Sequence, residues 1–260
     1  MRTFLSFTVP LLIALAALAG APAHAAESSQ PRARNVVLVH GAWADGSSWS
    51  EVIPLLQQAG LHVVSVQNPL TSLSDDVAAT RRALEPLQGP TVLVGHSYAG
   101  TVVSEAGADP RVTGLVYVAA RAPDAGEDFV ELASRFPTMP VRAGVETRDG
   151  FATLREDAFL AYFADGVPAA KAKVLFAVQQ PIAADLFAGR TSVAAWRDKP
   201  SWYAVSSADN TTSPELQRFL AERMGATVVE LESGHLSLLS HPREIARLIL
   251  AAAGREDAAP

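Results

Sequence analysis

Six short runs rich in β-branched residues alternate with longer amphipathic segments, and this alternation constrains the fold more than any other feature of the sequence. The runs occupy residues 36–39, 62–66, 91–94, 115–118, 202–205 and 227–231. Continuous apolar strands separated by helices are typical of a parallel sheet that is covered on both faces. The sequence therefore predicts an α/β fold in which helices cover both faces of a mostly parallel sheet of about six strands.

The amino-terminal segment has the arrangement of a secretory signal peptide. Arg2 precedes an apolar run over residues 4–18, and the small-residue pattern that ends at Ala25 precedes a polar stretch. The run is shorter than the roughly 20 apolar residues that a membrane-spanning helix needs, and Pro10 interrupts it. We expect residues 1–25 to be removed on export to the periplasm or the medium. Residues 26–260 would then form a single domain without a membrane partner.

Composition excludes several classes of function. The chain has no cysteine, which rules out disulfides, thiolate metal ligands and a thiol nucleophile. Its net charge is −6, and lysine and arginine form no cluster anywhere along the chain. We therefore expect neither nucleic acid nor an anionic membrane surface as a partner.

The alternation breaks between residues 121 and 197, where the sequence predicts helical fragments and no strand. Seven of the eight phenylalanines in residues 26–260 lie in this segment, which we interpret as a helical cap over the ends of the strands. We expect some of these rings to bind an apolar substrate, with few charged groups near the mouth of the pocket. The candidate rings are Phe129, Phe136, Phe159, Phe163 and Phe187. The alternative for any one ring is that it only packs the cap helices together.

A serine stands between small residues in TVLVGHSYAGTVV, residues 91–103, where a predicted strand meets a predicted helix. A tight strand-to-helix turn lifts such a hydroxyl clear of the sheet, and it requires small residues two positions before and after. Gly95 and Ala99 meet this requirement. The following helix directs its positive end at the group that Ser97 would attack. Ser97 is therefore the candidate nucleophile, and a helix-capping serine in an ordinary turn is the alternative.

A serine nucleophile needs a base, and the base needs an orienting carboxylate. His235 follows the last predicted strand, and Asp209 follows the fifth, so both belong to the sheet edge at which ligands bind in open α/β folds. The order serine, acid, histidine also fits this arrangement. The alternative for Asp209 is a turn-forming residue or a helix cap near Ser213. Asp124, after the fourth strand, is the reserve acid.

With these motifs the chain resembles the α/β-hydrolases. It is most similar to small capped enzymes that include plant methyl esterases, hydroxynitrile lyases and bacterial pyrethroid-type esterases. The motifs are NVVLVHGAWADGSSW at 35–49, GHSYAG at 95–100, the segment from SWYAVSSADN to PELQ at 201–217, ESGH at 232–235 and HP at 241–242. The resemblance implies an α/β-hydrolase fold with a cap, and an oxyanion hole formed by the backbone N–H groups of Ala42 and Tyr98. Ala99 replaces the usual glycine, and Asn210 follows Asp209 where charged residues often occur.

The leading expectation is a cofactor-free serine esterase that acts on small to medium apolar esters through an acyl-enzyme. A lyase on the same scaffold is the first alternative, but the resembling lyases carry a lysine directly after the histidine, where this chain has Leu236. A binding protein that has lost the chemistry is the second alternative. Such proteins usually lack a member of the triad, and all three residue types are present here.

Two further histidines flank the predicted site. We interpret His40 and His96 as packed, hydrogen-bonded side chains. A zinc site built from these two residues and His235 lacks an HExxH motif or any similar ligand spacing, so we expect neither a metal nor another cofactor.

Overall fold

The computed structural model describes residues 32–255, together with Met1 and Thr3. The predicted signal peptide, residues 1–25, lies outside these residues apart from Met1 and Thr3. In chain order the strands of the described part are β1 Asn35–Val39, β2 His62–Val66, β3 Thr91–His96, β4 Val112–Val118, β5 Val145–Arg148, β6 Phe151–Leu154, β7 Ile182–Ala183, β8 Ser201–Ser206 and β9 Thr227–Leu231. The six predicted strands form one sheet in the order β2-β1-β3-β4-β8-β9, and every neighbouring pair is parallel.

Helices cover both faces of this sheet. They are α1 Ile53–Gln58, α2 Leu73–Leu84, α3 Ala99–Ala106, α4 Phe129–Ala133, α5 Glu156–Ala158, α6 Ala169–Ala177, α7 Pro214–Arg223, α8 Ser237–Ser240 and α9 Pro242–Ala252. Helices α1 and α9 contact each other, as do α2 and α3, and each pair packs on the central sheet. Every residue of β1 and β3 is buried, which explains why these strands read as uninterrupted apolar runs. No helix in the described part of the chain is long and apolar enough to cross a bilayer.

The cap contains strands, so the prediction of a purely helical insertion is wrong. Strands β5 and β6 form an antiparallel hairpin, and β7 pairs with β6. Asp149 and Gly150 connect the hairpin with φ angles of +51° and +81°. An Asp-Gly pair favours the tight turn in which both central residues have positive φ. Most of β5 is exposed, so it lacks the kind of apolar run that predicts the six strands of the central sheet, and only the turn signals it.

The strand order places a topological switch point beside β1. The chain crosses from β1 to β2 on one side and then returns to form β3 on the other side. Loops that leave β1 and β3 therefore diverge at the carboxyl edge of the sheet and open a crevice there. The segment His40–Gly41–Ala42 directly follows β1, and Ser97 directly follows β3.

Candidate active site

Ser97 occupies a strained turn between β3 and α3. Its φ is +55°, a value that non-glycine residues rarely adopt. Its N–H donates to the carbonyl oxygen of Val118 at 3.0 Å, which ties the turn to the end of β4. A Cβ at Gly95 would lie 2.7 Å from Val103 Cγ2 and 2.8 Å from the carbonyl oxygen of Ala99, so only glycine fits there. The sequence folds into this turn because the flanking positions are small.

Ser97, His235 and Asp209 form one continuous hydrogen-bonded line. His235 Nε2 lies 2.9 Å from Ser97 Oγ, and His235 Nδ1 lies 2.7 Å from Asp209 Oδ2. The side chains of His235 and Asp209 are fully buried, and Ser97 is 8% exposed. With Nδ1–H donated to the carboxylate, Nε2 is free to accept the hydroxyl proton of Ser97. The arrangement can therefore generate a serine nucleophile.

Four donors hold the Asp209 carboxylate. Oδ1 accepts from the backbone N–H groups of Thr211 at 2.7 Å and Thr212 at 2.9 Å. Oδ2 accepts from Gln217 Nε2 at 2.8 Å as well as from His235. Gln217 also accepts a hydrogen bond from the N–H of Ser206, so it joins α7 to the end of β8. Sequence reasoning missed Gln217, because its role depends on how α7 docks against that strand.

Asp124, the reserve acid, lies elsewhere. Its carboxylate is bonded to the Arg197 guanidinium and to the N–H of Ala125. The hydrogen bond from Arg197 lowers the pKa of Asp124, which is consistent with a surface ion pair. The structure thus brings Asp209, and not Asp124, to the imidazole of His235.

Ala42 lies in the loop after β1, and Tyr98 directly follows Ser97 at the start of α3. The loop after β1 passes so close to the serine that a Cβ at Gly41 would lie 2.8 Å from Ser97 Cβ. In the part of the chain that the structure describes, neither the Ala42 N–H nor the Tyr98 N–H donates to a protein acceptor. Helix α3 begins directly after Tyr98 and adds the positive end of its dipole. These groups can stabilise negative charge that develops beside Ser97.

The Tyr98 side chain is anchored on α2. Its phenol donates to Asp76 Oδ2 at 2.9 Å, and the N–H of Leu70 donates to Asp76 Oδ1 at 2.8 Å. Burial raises the pKa of Asp76 to about 6 and also raises the pKa of Tyr98. The sequence places Asp76 only in the first turn of a helix and gives no sign of this contact.

The flanking histidines are engaged as neutral side chains. His40 Nε2 accepts from the N–H of Asn68 at 2.9 Å, and Nδ1 donates to the carbonyl oxygen of Gly41 at 2.9 Å. His96 Nε2 donates to the carbonyl oxygen of His235 at 3.0 Å. Burial lowers the pKa of both imidazoles. Their observed contacts are those of packed side chains that support the site.

A cavity of about 180 Å³ opens beside Ser97 beneath the cap. Of the five candidate rings, Phe129 and Phe187 line it. Phe159 and Phe163 pack against each other with ring centroids 4.8 Å apart and border a smaller neighbouring cavity. Phe136 packs against Phe219 at 5.4 Å. The remaining apolar lining of the main cavity includes Trp43, Met139, Val141 and Leu216.

Two charged side chains lie among the residues that line this cavity, and both are positive. Arg121 and Arg142 both line it. Arg121 follows β4 at the same sheet edge as Ser97, so its position could have been inferred from the strand order. The direction of its side chain could not.

Comparisons with known proteins agree with the fold. The model of the alpha/beta hydrolase family matches residues 36–248. Alpha/beta hydrolase nvfD of Aspergillus novofumigatus is 26% identical over 254 residues, covering 84% of this chain and 96% of that protein. Among solved structures, a pyrethroid hydrolase from Sphingobium faniae has a TM-score of 0.69 at 20% identity, over 84% of this chain and 96% of its own. An Arabidopsis methylesterase has a TM-score of 0.70 at 20% identity, over 85% and 98%.

Proposed function

The chain belongs to the alpha/beta hydrolase family, and we propose that it is an exported serine carboxylesterase for small to medium esters with a mainly apolar body. One observation carries the proposal: the line from Ser97 Oγ through His235 to Asp209, with distances of 2.9 and 2.7 Å. The names of similar proteins, among them a pyrethroid hydrolase and a methylesterase, support ester hydrolysis as the reaction.

In this mechanism Ser97 Oγ attacks the ester carbonyl carbon while its proton passes to His235 Nε2. The tetrahedral oxyanion lies against the N–H groups of Ala42 and Tyr98, and Asp209 stabilises the imidazolium. The C–O bond to the alcohol then breaks, and the alcohol leaves with the proton from His235. Water, deprotonated by the same imidazole, attacks the acyl-enzyme and releases the carboxylic acid and free Ser97.

The surroundings of the serine suit an ester better than a cyanohydrin. Leu236 follows His235 where the resembling lyases carry lysine. Lys171 forms an ion pair with Glu51, and Lys199 bonds to carbonyl oxygens near the start of β4, the end of that strand remote from Ser97. A purely binding role would leave the aligned serine, histidine and aspartate without a purpose.

Export is proposed from the sequence of residues 1–25 alone. Fractionation of cells that produce the full chain should place the protein in the periplasm or medium, with a mature amino terminus at Ala26. Retention of the full-length chain in the cytosol would contradict export and leave the catalytic proposal intact.

Covalent labelling tests the catalytic proposal. A fluorophosphonate should label the purified protein, and Ser97→Ala should abolish labelling while the circular dichroism spectrum stays unchanged. Ser104→Ala is the matched control, because this buried serine on α3 bonds to the carbonyl oxygen of Gly100 rather than to an imidazole. Turnover should follow labelling across a panel of esters, with an amide and a cyanohydrin run beside them. Full labelling of the Ser97→Ala variant would overturn the proposal.

A further inference from the structure

The backbone of Arg121 is locked to the turn that carries Ser97. Its N–H donates to the carbonyl oxygen of Ser97 at 2.9 Å. The carbonyl group of Arg121 packs closely against Gly100 of α3, since a Cβ at Gly100 would lie 1.8 Å from the Arg121 carbonyl oxygen. Arg121 therefore has a fixed position relative to the nucleophile.

Its side chain lies between two aromatic rings of the cavity. The guanidinium carbon is 5.1 Å from the ring centre of Phe129 and 4.1 Å from that of Phe187. Both rings line the cavity that contains Ser97. The only hydrogen bond of the guanidinium to a described residue is a weak one, from Nη1 to the carbonyl oxygen of Phe187 at 3.4 Å. Most of its five N–H donors are therefore available to a ligand.

The charge of Arg121 is not neutralised by any described residue. Other partly buried arginines have carboxylate partners, as Arg111 has Asp109 and Arg223 has Glu127. No aspartate or glutamate is among the described residues that line the cavity, and Arg142 adds a second positive charge there. Burial and the neighbouring Arg142 lower the pKa of Arg121 to about 10, so it stays charged at neutral pH.

We propose that Arg121 binds an anionic group of the substrate, so that the preferred esters carry a second, ionised acid group such as the free carboxylate of a diacid half-ester. A planar guanidinium held between two rings presents its donors in the fork geometry that matches a carboxylate. Such a partner would also offset the cost of a desolvated, unpaired charge. The inference rests on the proposed esterase function and deepens it.

Matched pairs of 4-nitrophenyl esters test this assignment. The hemiesters of diacids from succinate to suberate are compared with neutral acyl esters of the same chain length. We expect at least one hemiester to exceed its neutral counterpart about tenfold or more in kcat/KM. Arg121→Gln should lower kcat/KM for that hemiester by about 10- to 100-fold, the range of a charge-assisted hydrogen bond, and change the neutral ester less than threefold.

Two further variants test whether the effect arises from the net charge of the protein or from the positive charge at position 121 alone. Arg247→Gln makes the same change in net charge on the exposed side of α9 and should leave both rates unaltered. Arg121→Lys keeps the charge but loses the fork, so it should recover only part of the hemiester rate. If no hemiester outperforms its neutral counterpart while neutral esters are still turned over, the anion site is overturned and the esterase function stands.

Calorimetry on the Ser97→Ala variant distinguishes a failure of the anion site from a failure of the proposed esterase function. It measures binding of diacid monomethyl esters, from succinate to suberate, without turnover. If neither turnover nor fluorophosphonate labelling occurs, the proposed function fails. Saturable binding of a monoanion that Arg121→Gln removes would still support the anion site, and absence of binding across the series would overturn it.

Discussion

The phenol of Tyr98 donates a 2.9 Å hydrogen bond to the carboxylate of Asp76, so the residue after the serine is fixed at both its backbone and its side-chain end. The backbone of Tyr98 forms the turn between Ser97 and α3, and its ring is held by the first turn of α2. A displacement of α2 would therefore be transmitted to the N–H that we assign to the oxyanion hole.

Tyr98→Phe should reduce both stability and turnover. The change leaves an oxygen of the buried Asp76 without its donor, at a cost of about 1–3 kcal/mol in the free energy of unfolding. We expect kcat to fall more than KM rises, because an oxyanion-hole N–H, the role that we propose for Tyr98, acts mainly in the transition state. Urea unfolding and steady-state kinetics measure the two effects. Tyr162→Phe, at a partly buried cap residue outside the cavity lining, is the matched control. Unchanged kcat in Tyr98→Phe would refute the coupling.

Asp76 should make stability depend on pH. Its pKa rises from 3.8 to about 6 on folding, so the folded state holds this proton more tightly than the unfolded state does. The resulting contribution to stability is fully present below pH 3.8 and is lost as the pH rises through 6. Asp76→Asn removes the titration, so its free energy of unfolding relative to wild type should improve between pH 4 and pH 7, by at most about 3 kcal/mol. Equal differences at the two pH values would contradict this.

Asp209→Asn should lower kcat by about 10⁴, because the imidazole loses the partner that fixes its tautomer. Asp124→Asn is the natural control: it also removes one carboxylate, but it breaks only the contacts with Arg197 and the Ala125 N–H. Its kcat should stay within threefold of wild type. Initial rates and melting temperatures of both variants decide the matter, and a crippled Asp124→Asn beside a normal Asp209→Asn would reverse the assignment.

The sheet could be predicted from the sequence because its central strands are buried on both faces and therefore form unbroken apolar runs. The line of serine, histidine and aspartate joins residues that are 138 and 26 positions apart, yet each follows a strand, so the carboxyl edge of the sheet brings them together. The prediction of these three residues therefore required only the positions of the strands and no knowledge of side-chain packing.

The contacts that the sequence could not reveal all depend on how one element docks against another. Gln217 reaches Asp209 only because α7 packs on β8, and Asp76 meets Tyr98 only because α2 packs on α3. The cap hairpin is different, because its Asp-Gly turn was readable from the sequence. Its mostly exposed first strand gave no apolar signal to accompany that turn.

The apolar part of the cavity lining should make the specificity for neutral esters rise with acyl length. Each buried methylene contributes about 0.8 kcal/mol, so kcat/KM should climb about three- to fourfold per carbon until the cavity is full. Aryl esters from acetate to decanoate measure the profile. Phe187→Ala should flatten it, because this ring lines the cavity, whereas Phe136→Ala should leave its slope unchanged, because that ring packs on Phe219. A flat profile in the wild-type enzyme would mean that the rings do not bind the acyl chain.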